Sequence, residues 1–113
     1  MKYMLMICGD DSVELTPEEE AAMGPDTESW VTEMDGRGVR LEGDRLRPVS
    51  DATSVRVRDT EVLIVDGPFA ETKEQMAGFD IIECADLDEA IGVAAKHPMA
   101  RHGVIEVRPF WPL

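Results

Sequence analysis

A chain of 113 residues with a net charge of −13 and a pI near 4.4 repels nucleic-acid backbones and anionic membrane surfaces, so neither direct nucleic-acid contact nor membrane attachment is expected. Its 43% hydrophobic and 31% charged residues give the balance of one soluble globular domain, 1–113, and exclude a disordered chain. A domain of this size buries a modest core, and a partner subunit would add to it.

The opening run 2–8 is apolar on both faces, as a central strand is, and is too short to span a bilayer. No cleavage-site pattern follows it, so a signal peptide is not expected. A helix start comes next. Thr16 caps, Pro17 suits the first helical position, and Glu19 closes a capping box. Gly24-Pro25 predicts an interruption, giving a short helix over 17–23 and a longer one over about 25–36 with Trp30, Val31 and Met34 at helical spacing. The segment 39–48 reads as irregular or briefly extended. Residues 53–58 alternate and predict a half-buried strand, with a turn at Asp59-Thr60 and a return strand over 61–65. A further strand is expected over 76–84, weighted by Phe79, Ile81 and Ile82. Asp86 then caps a helix, with Glu89 three residues on and Leu87, Ala90, Ile91, Ala94 and Ala95 forming an apolar stripe. Pro98 ends it, and 103–108 is the last strand. The order is that of an α+β, ferredoxin-like β-α-β-β-α-β fold with an extra strand.

Several of these pieces are familiar together. Asp66-Gly67-Pro68-Phe69-Ala70-Glu71-Thr72-Lys73-Glu74, then Gly78-Phe79, Asp86-Leu87-Asp88-Glu89-Ala90 and Glu106-Val107-Arg108-Pro109, resemble the YCII-related family, in the branch named for its Asp-Gly-Pro-Phe (DGPF) motif. Tyr3-Met4-Leu5-Met6 and the Trp30, Gly38, Leu41 segment are also similar to that family. The resemblance implies a homodimeric α+β barrel, in which two ferredoxin-like sheets face each other across a two-fold axis. It also implies that most relatives have no known activity, that some members of the wider family are lyases or dehydrochlorinases using a His–Asp pair, and that relatives of this branch are met beside sigma factors. The lyase pair does not carry over residue by residue: the only histidines are His97 and His102, and none lies near the first helix.

The loop 66–74 concentrates charge between two strands, and function concentrates on loops held by rigid scaffolds. Asp66 is a candidate general base or ligand contact, set against a plain turn-forming role in which its carboxylate accepts backbone N–H bonds. Glu71 is a second candidate base. Lys73 stands out because cations are scarce, 11 against 24 acids. Arg108 suits carboxylate recognition through its planar fork, set against an ion pair with a neighbouring acid. A ligand site at Asp66, Lys73 and Arg108 is therefore expected. Phe69 is expected to anchor the turn. His97 is expected to cap a helix end as a cation and His102 to be an exposed loop residue. Cys8 and Cys84 lie in apolar runs, as reduced thiols of a cytoplasmic protein do, and with the two histidines they are too scattered for a metal site. Three readings follow: a dimeric small-molecule-binding protein taking a small acidic ligand; a lyase or isomerase needing neither metal nor organic cofactor; and an interaction module linked to sigma-factor-dependent transcription control. The acidity opposes direct DNA contact in the third.

Overall fold

The computed structural model describes residues 1–10, 12–70 and 72–112. Strand β1 (Lys2–Gly9) runs into helix α1 (Pro17–Gly36), followed by β2 (Arg40–Arg45), a hairpin of β3 (Thr53–Arg58) and β4 (Glu61–Asp66), then β5 (Gln75–Glu83), helix α2 (Leu87–Ala95) and β6 (Val104–Pro109). One-turn 3₁₀ segments lie at Val49–Asp51 and Pro98–Arg101.

Four strands form an antiparallel sheet in the order β2-β5-β1-β6. This is the ferredoxin-like arrangement, with β1 and β2 separated by the strand that threads between them. Residues 39–48 therefore hold a true strand, and the β3–β4 hairpin is an addition that forms its own two-stranded sheet. The order of elements was legible; the identity of the strand beside β5 was not, because Arg40-Leu41-Glu42-Gly43-Asp44-Arg45 has no apolar period.

Both helices cover one face of the sheet. Tyr3, Leu5 and Ile7 alternate inward from β1 and pack with Ile82 of β5 against Trp30 and Met34 of α1 and Ala90, Val93 and Ala94 of α2. Each fully buried aliphatic side chain there contributes about 1.5–3 kcal/mol. The indole N–H of Trp30 donates to the Val93 carbonyl at 3.0 Å, tying the helices together. On α2 the buried stripe is Ala90, Val93 and Ala94, while Leu87 and Ile91 of the expected stripe are about half exposed. The helix is rotated so that its small residues meet the sheet and α1 closely.

The expected break at Pro25 does not occur; α1 is continuous from Pro17 to Gly36. Pro25 lies on the solvent side, where the one helical bond it removes, to the Ala21 carbonyl, can be replaced by water. Gly24 before it has no Cβ to clash with the pyrrolidine ring. The capping box is present: Thr16 Oγ1 accepts from the Glu19 N–H at 3.1 Å, and the Thr16 N–H donates to Glu19 Oε1 at 2.9 Å.

The second face of the sheet carries no helix. Met4 and Met6 of β1 stand opposite Ile81 and Phe79 of β5, all half-buried, with Glu42 and Asp44 of β2 and Glu106 and Arg108 of β6 on the flanks. The hairpin is exposed on both faces: Val55, Val57, Val62 and Ile64 on one are each 58–67% exposed, and Leu63 and Val65 on the other are 40% and 60% exposed. Residues 53–58 alternate as expected but are not half-buried, since no other element covers them. The Cα radius of gyration is 16.0 Å, against about 13 Å for a compact domain of this length. Among the described residues no helix is long and apolar enough to cross a membrane.

Candidate functional site

A cleft of about 880 Å³ lies at the end of the sheet where β1 stops and β5 begins. Its polar wall holds Asp10, Glu14, Glu20, Arg45, Arg47, Gln75 and His102, and its apolar floor includes Leu46, Met76 and Met99. A β-bulge shapes this end. Ile7 pairs with Gly78 but Cys8 with Met76, so Ala77 is the extra residue, and its carbonyl accepts from the Leu46 N–H at 2.8 Å. The bulge turns the start of β5 toward the cleft and fixes the chain leaving β2 beside it.

Four polar groups of the wall have defined partners. Asp10 Oδ1 accepts from the Ser12 N–H at 2.8 Å and the Ser12 hydroxyl at 2.6 Å. These bonds, helped by the charge of Lys73, hold its carboxyl below the usual range. Gln75 Nε2 donates to the Ala70 and Thr72 carbonyls at 2.9 and 3.0 Å, pinning the charged loop to the cleft rim. Arg47 pairs with Asp51 at 2.9 Å, whereas Arg45 has no ion-pair partner among the described residues. His102 has a side chain 17% exposed with Nδ1 3.8 Å from Glu19 Oε2, and it also lines a smaller hollow with Met23, Asp26 and Arg101. It is half-buried, not an exposed loop residue.

The residues singled out from sequence are spread apart. Lys73 does not line the cleft, but its charge helps to lower the Asp10 carboxyl. Asp66 ends β4, exposed, and no hydrogen bond to its carboxylate is present among the described residues; the turn beyond it is held by Gly67, whose N–H donates to the Ala52 carbonyl at 2.7 Å and whose φ of 101° only glycine takes readily. Arg108 lies on the helix-free face, paired with Glu106 of its own strand. Glu71 lies outside the described residues. Phe69 is 80% exposed and anchors nothing within its own chain.

His97 differs from expectation. It is 5% exposed, its Nδ1 accepts from the Met99 N–H at 3.0 Å, and its ring meets Trp30 edge-to-face at 4.8 Å. Burial lowers its pKa to about 4, so it is a neutral cap at the start of the Pro98–Arg101 turn and not a cation at a helix end. Burial likewise pushes the Cys84 thiol up to about 11, with Glu89 adding to it, and raises that of Cys8, with Glu106 and Glu74 adding to it. Neither is an activated nucleophile. Among the described residues no group of three or more His, Cys, Asp or Glu is placed to hold a metal ion.

One feature escaped the sequence altogether. Asp80 on β5 is 6% exposed and accepts from Arg40 Nε at 2.8 Å, while Arg40 also donates to the Gly43 carbonyl at 3.1 Å. A Cβ on Gly43 would stand 2.0 Å from Asp80 Oδ1, so glycine makes room for the carboxylate. The pair joins edge strand β2 to β5 from positions 40 residues apart.

The sequence profile of the YCII-related domain matches residues 1–113. The chain belongs to the YCII-related family. An uncharacterised protein of Rhizobium meliloti (strain 1021) is 36% identical, over 96% of this YCII-related chain and 91% of its own length.

Proposed function

We propose that this YCII-related protein is a homodimer of the DGPF-motif branch, acting in the cytoplasm and binding a small acidic molecule in the cleft at the sheet end. The observation that carries the ligand reading is the cleft itself. About 880 Å³ lies within the size range of small-molecule sites, and its wall combines Arg45, without an ionic partner among the described residues, with an apolar floor. An arginine fork there takes a carboxylate in two parallel hydrogen bonds, and the charge of Lys73, felt at Asp10, adds to it. Asp66 and Arg108 belong to the same proposal through the second copy: Arg108 lies on the helix-free face that dimerisation would cover, and the loop after Asp66 is tied to the cleft by Gln75. Free Cys8 and Cys84 accord with a reducing compartment.

The test is thermal shift with a panel of small mono- and dicarboxylic acids on wild type, Arg45→Ala and Lys73→Ala. A ligand of the native state raises Tm with its concentration. Shifts lost in Arg45→Ala and reduced in Lys73→Ala support the site. Equal shifts in all three proteins, or none, remove it.

His102 favours a second reading, a metal-free lyase or isomerase. It lines the cleft with Glu19 behind it, as a base needs an orienting partner within reach of the substrate. Turnover of any panel compound abolished by His102→Gln, with binding retained, would establish it; binding without turnover leaves the first reading.

A further inference from the structure

The hairpin has a pattern that its own chain does not explain. In β4 the four residues Val62, Leu63, Ile64 and Val65 are apolar in succession, so both of its faces are apolar. Strands of that kind are covered on both faces and paired on both edges. Strand β3 is different: Val55 and Val57 share one face, while Ser54, Arg56 and Arg58 make the other face polar, as at the margin of a sheet. Yet among the described residues β4 pairs only with β3. Its other edge is uncharged along 62–65 and has neither the proline, the lysine nor the bulge that shields such edges.

We infer that β4 pairs antiparallel with β4 of a second copy of this chain, making a four-stranded β3-β4-β4-β3 sheet across the two-fold axis of the proposed dimer. The inference rests on that dimer and adds a second contact to it.

The register follows from the turn. Asp59 and Thr60, with φ of 48° and 70°, form a two-residue hairpin loop between Arg58 and Glu61. The flanking pair exchanges hydrogen bonds, and every second residue alternates, so Glu61, Leu63 and Val65 bond to β3 while Val62 and Ile64 aim their N–H and C=O outward. Two such edges mate only where outward residues meet. Pairing Val62 with Ile64 of the other copy puts Leu63 opposite Leu63 on the axis and keeps the apolar residues together. A one-residue slip would bring Glu61 opposite the other copy's Asp66, and it is also excluded by the hydrogen-bond direction.

Local charge favours a second copy as the occupant. The chain carries −13 overall, but the hairpin has Arg56 and Arg58 against Asp59, Glu61 and Asp66, so this is a region where two copies approach with little repulsion. Edge pairing joins the backbones of β4 and leaves the two faces of the hairpin open, so by itself it falls short of the ~800 Å² per partner that a stable interface buries. The rest of the contact belongs to the helix-free sheet face, and one two-fold axis has to serve both.

Leu63→Cys tests the register, because residues facing each other in a non-hydrogen-bonded antiparallel pair stand about 4.5 Å apart, within disulfide reach. Under mild oxidation Leu63→Cys is expected to form a covalent dimer linked 63 to 63 by peptide mapping, while wild type and Arg56→Cys do not. Ile64→Asp is expected to raise the dimer dissociation constant at least tenfold while the chain stays folded, since the hairpin adds nothing to the core. A protein that is dimeric by light scattering but gives no 63–63 link, with its dissociation constant unmoved by Ile64→Asp, overturns the hairpin contact and leaves the sheet-face dimer standing. A monomer at all concentrations overturns both.

Discussion

Removing Arg40 should reveal how much the edge strand β2 depends on one buried ion pair. The side chains of Arg40 and Asp80 are 17% and 9% exposed, with the bond between them at 2.8 Å. In Arg40→Met the packing is largely kept but Asp80 is left buried without its partner. Breaking a buried pair from one side costs about 3–5 kcal/mol, which for a domain of this size lowers Tm by roughly 10–20 °C. The loss should depend on pH. Burial already raises the Asp80 carboxyl above its ordinary value despite Arg40, and removing the guanidinium takes away the opposing pull. An acid raised in the folded state gains its full stability below its unfolded pKa and loses it as pH rises through the folded one. The deficit of Arg40→Met is therefore largest at neutral pH and shrinks on acidification, as Asp80 becomes protonated. Urea unfolding at fixed protein concentration, from pH 7 down to pH 4.5, measures both effects. The double variant Arg40→Met/Asp80→Leu should regain much of the loss, because no charge is then buried. If Arg40→Met costs under about 1 kcal/mol, or the double variant is no better than the single, the pair is not the clamp described here.

Three further outcomes follow from the same coordinates. With a pKa lowered to about 4 by burial, His97 is neutral when folded, so its contribution to stability is present above about 6.5 and lost as pH falls toward 4, roughly 3 kcal/mol in all; His97→Phe should flatten that part of the pH–stability curve, and an unchanged slope would assign it to other groups. Thr60→Gly relieves a β-branched residue at φ 70° and should slow amide exchange in β3 and β4; faster exchange would contradict it. Gly103→Ala places a Cβ 2.2 Å from the Cys8 carbonyl oxygen and should destabilise the β1–β6 pairing by about 1–3 kcal/mol in urea unfolding; a neutral result would mean that β6 shifts freely.

What could be read from sequence was what neighbours along the chain decide. Both helix starts, at Thr16–Glu19 and Asp86–Glu89, depend on groups three residues apart and appear as expected. The turn at Asp59-Thr60 and the apolar β1 are equally local. Pro25 was misread because a helix tolerates a proline more readily where the freed carbonyl can turn to water, and exposure is not a local property. The stripe of α2 was misassigned for a related reason: two faces of that helix are apolar, and only packing selects Val93 over Leu87 and Ile91. The Arg40–Asp80 pair and the cleft join residues from 9 to 102, so no spacing rule could have gathered them. Of the expected site residues that the structure describes, Lys73 acts on the cleft residue Asp10 through its charge, while Arg108 lies on the helix-free face.

The helix-free sheet face carries the account. Met4, Met6, Phe79 and Ile81 are half-buried in one chain and need a cover that the chain does not supply. Light scattering on wild type and Met6→Asp in parallel is the most direct test. Wild type is expected at twice the 12.5 kDa of one chain, and Met6→Asp, with a charge at the centre of that face, as a folded monomer. A wild-type monomer, or a Met6→Asp dimer as tight as wild type, would contradict it.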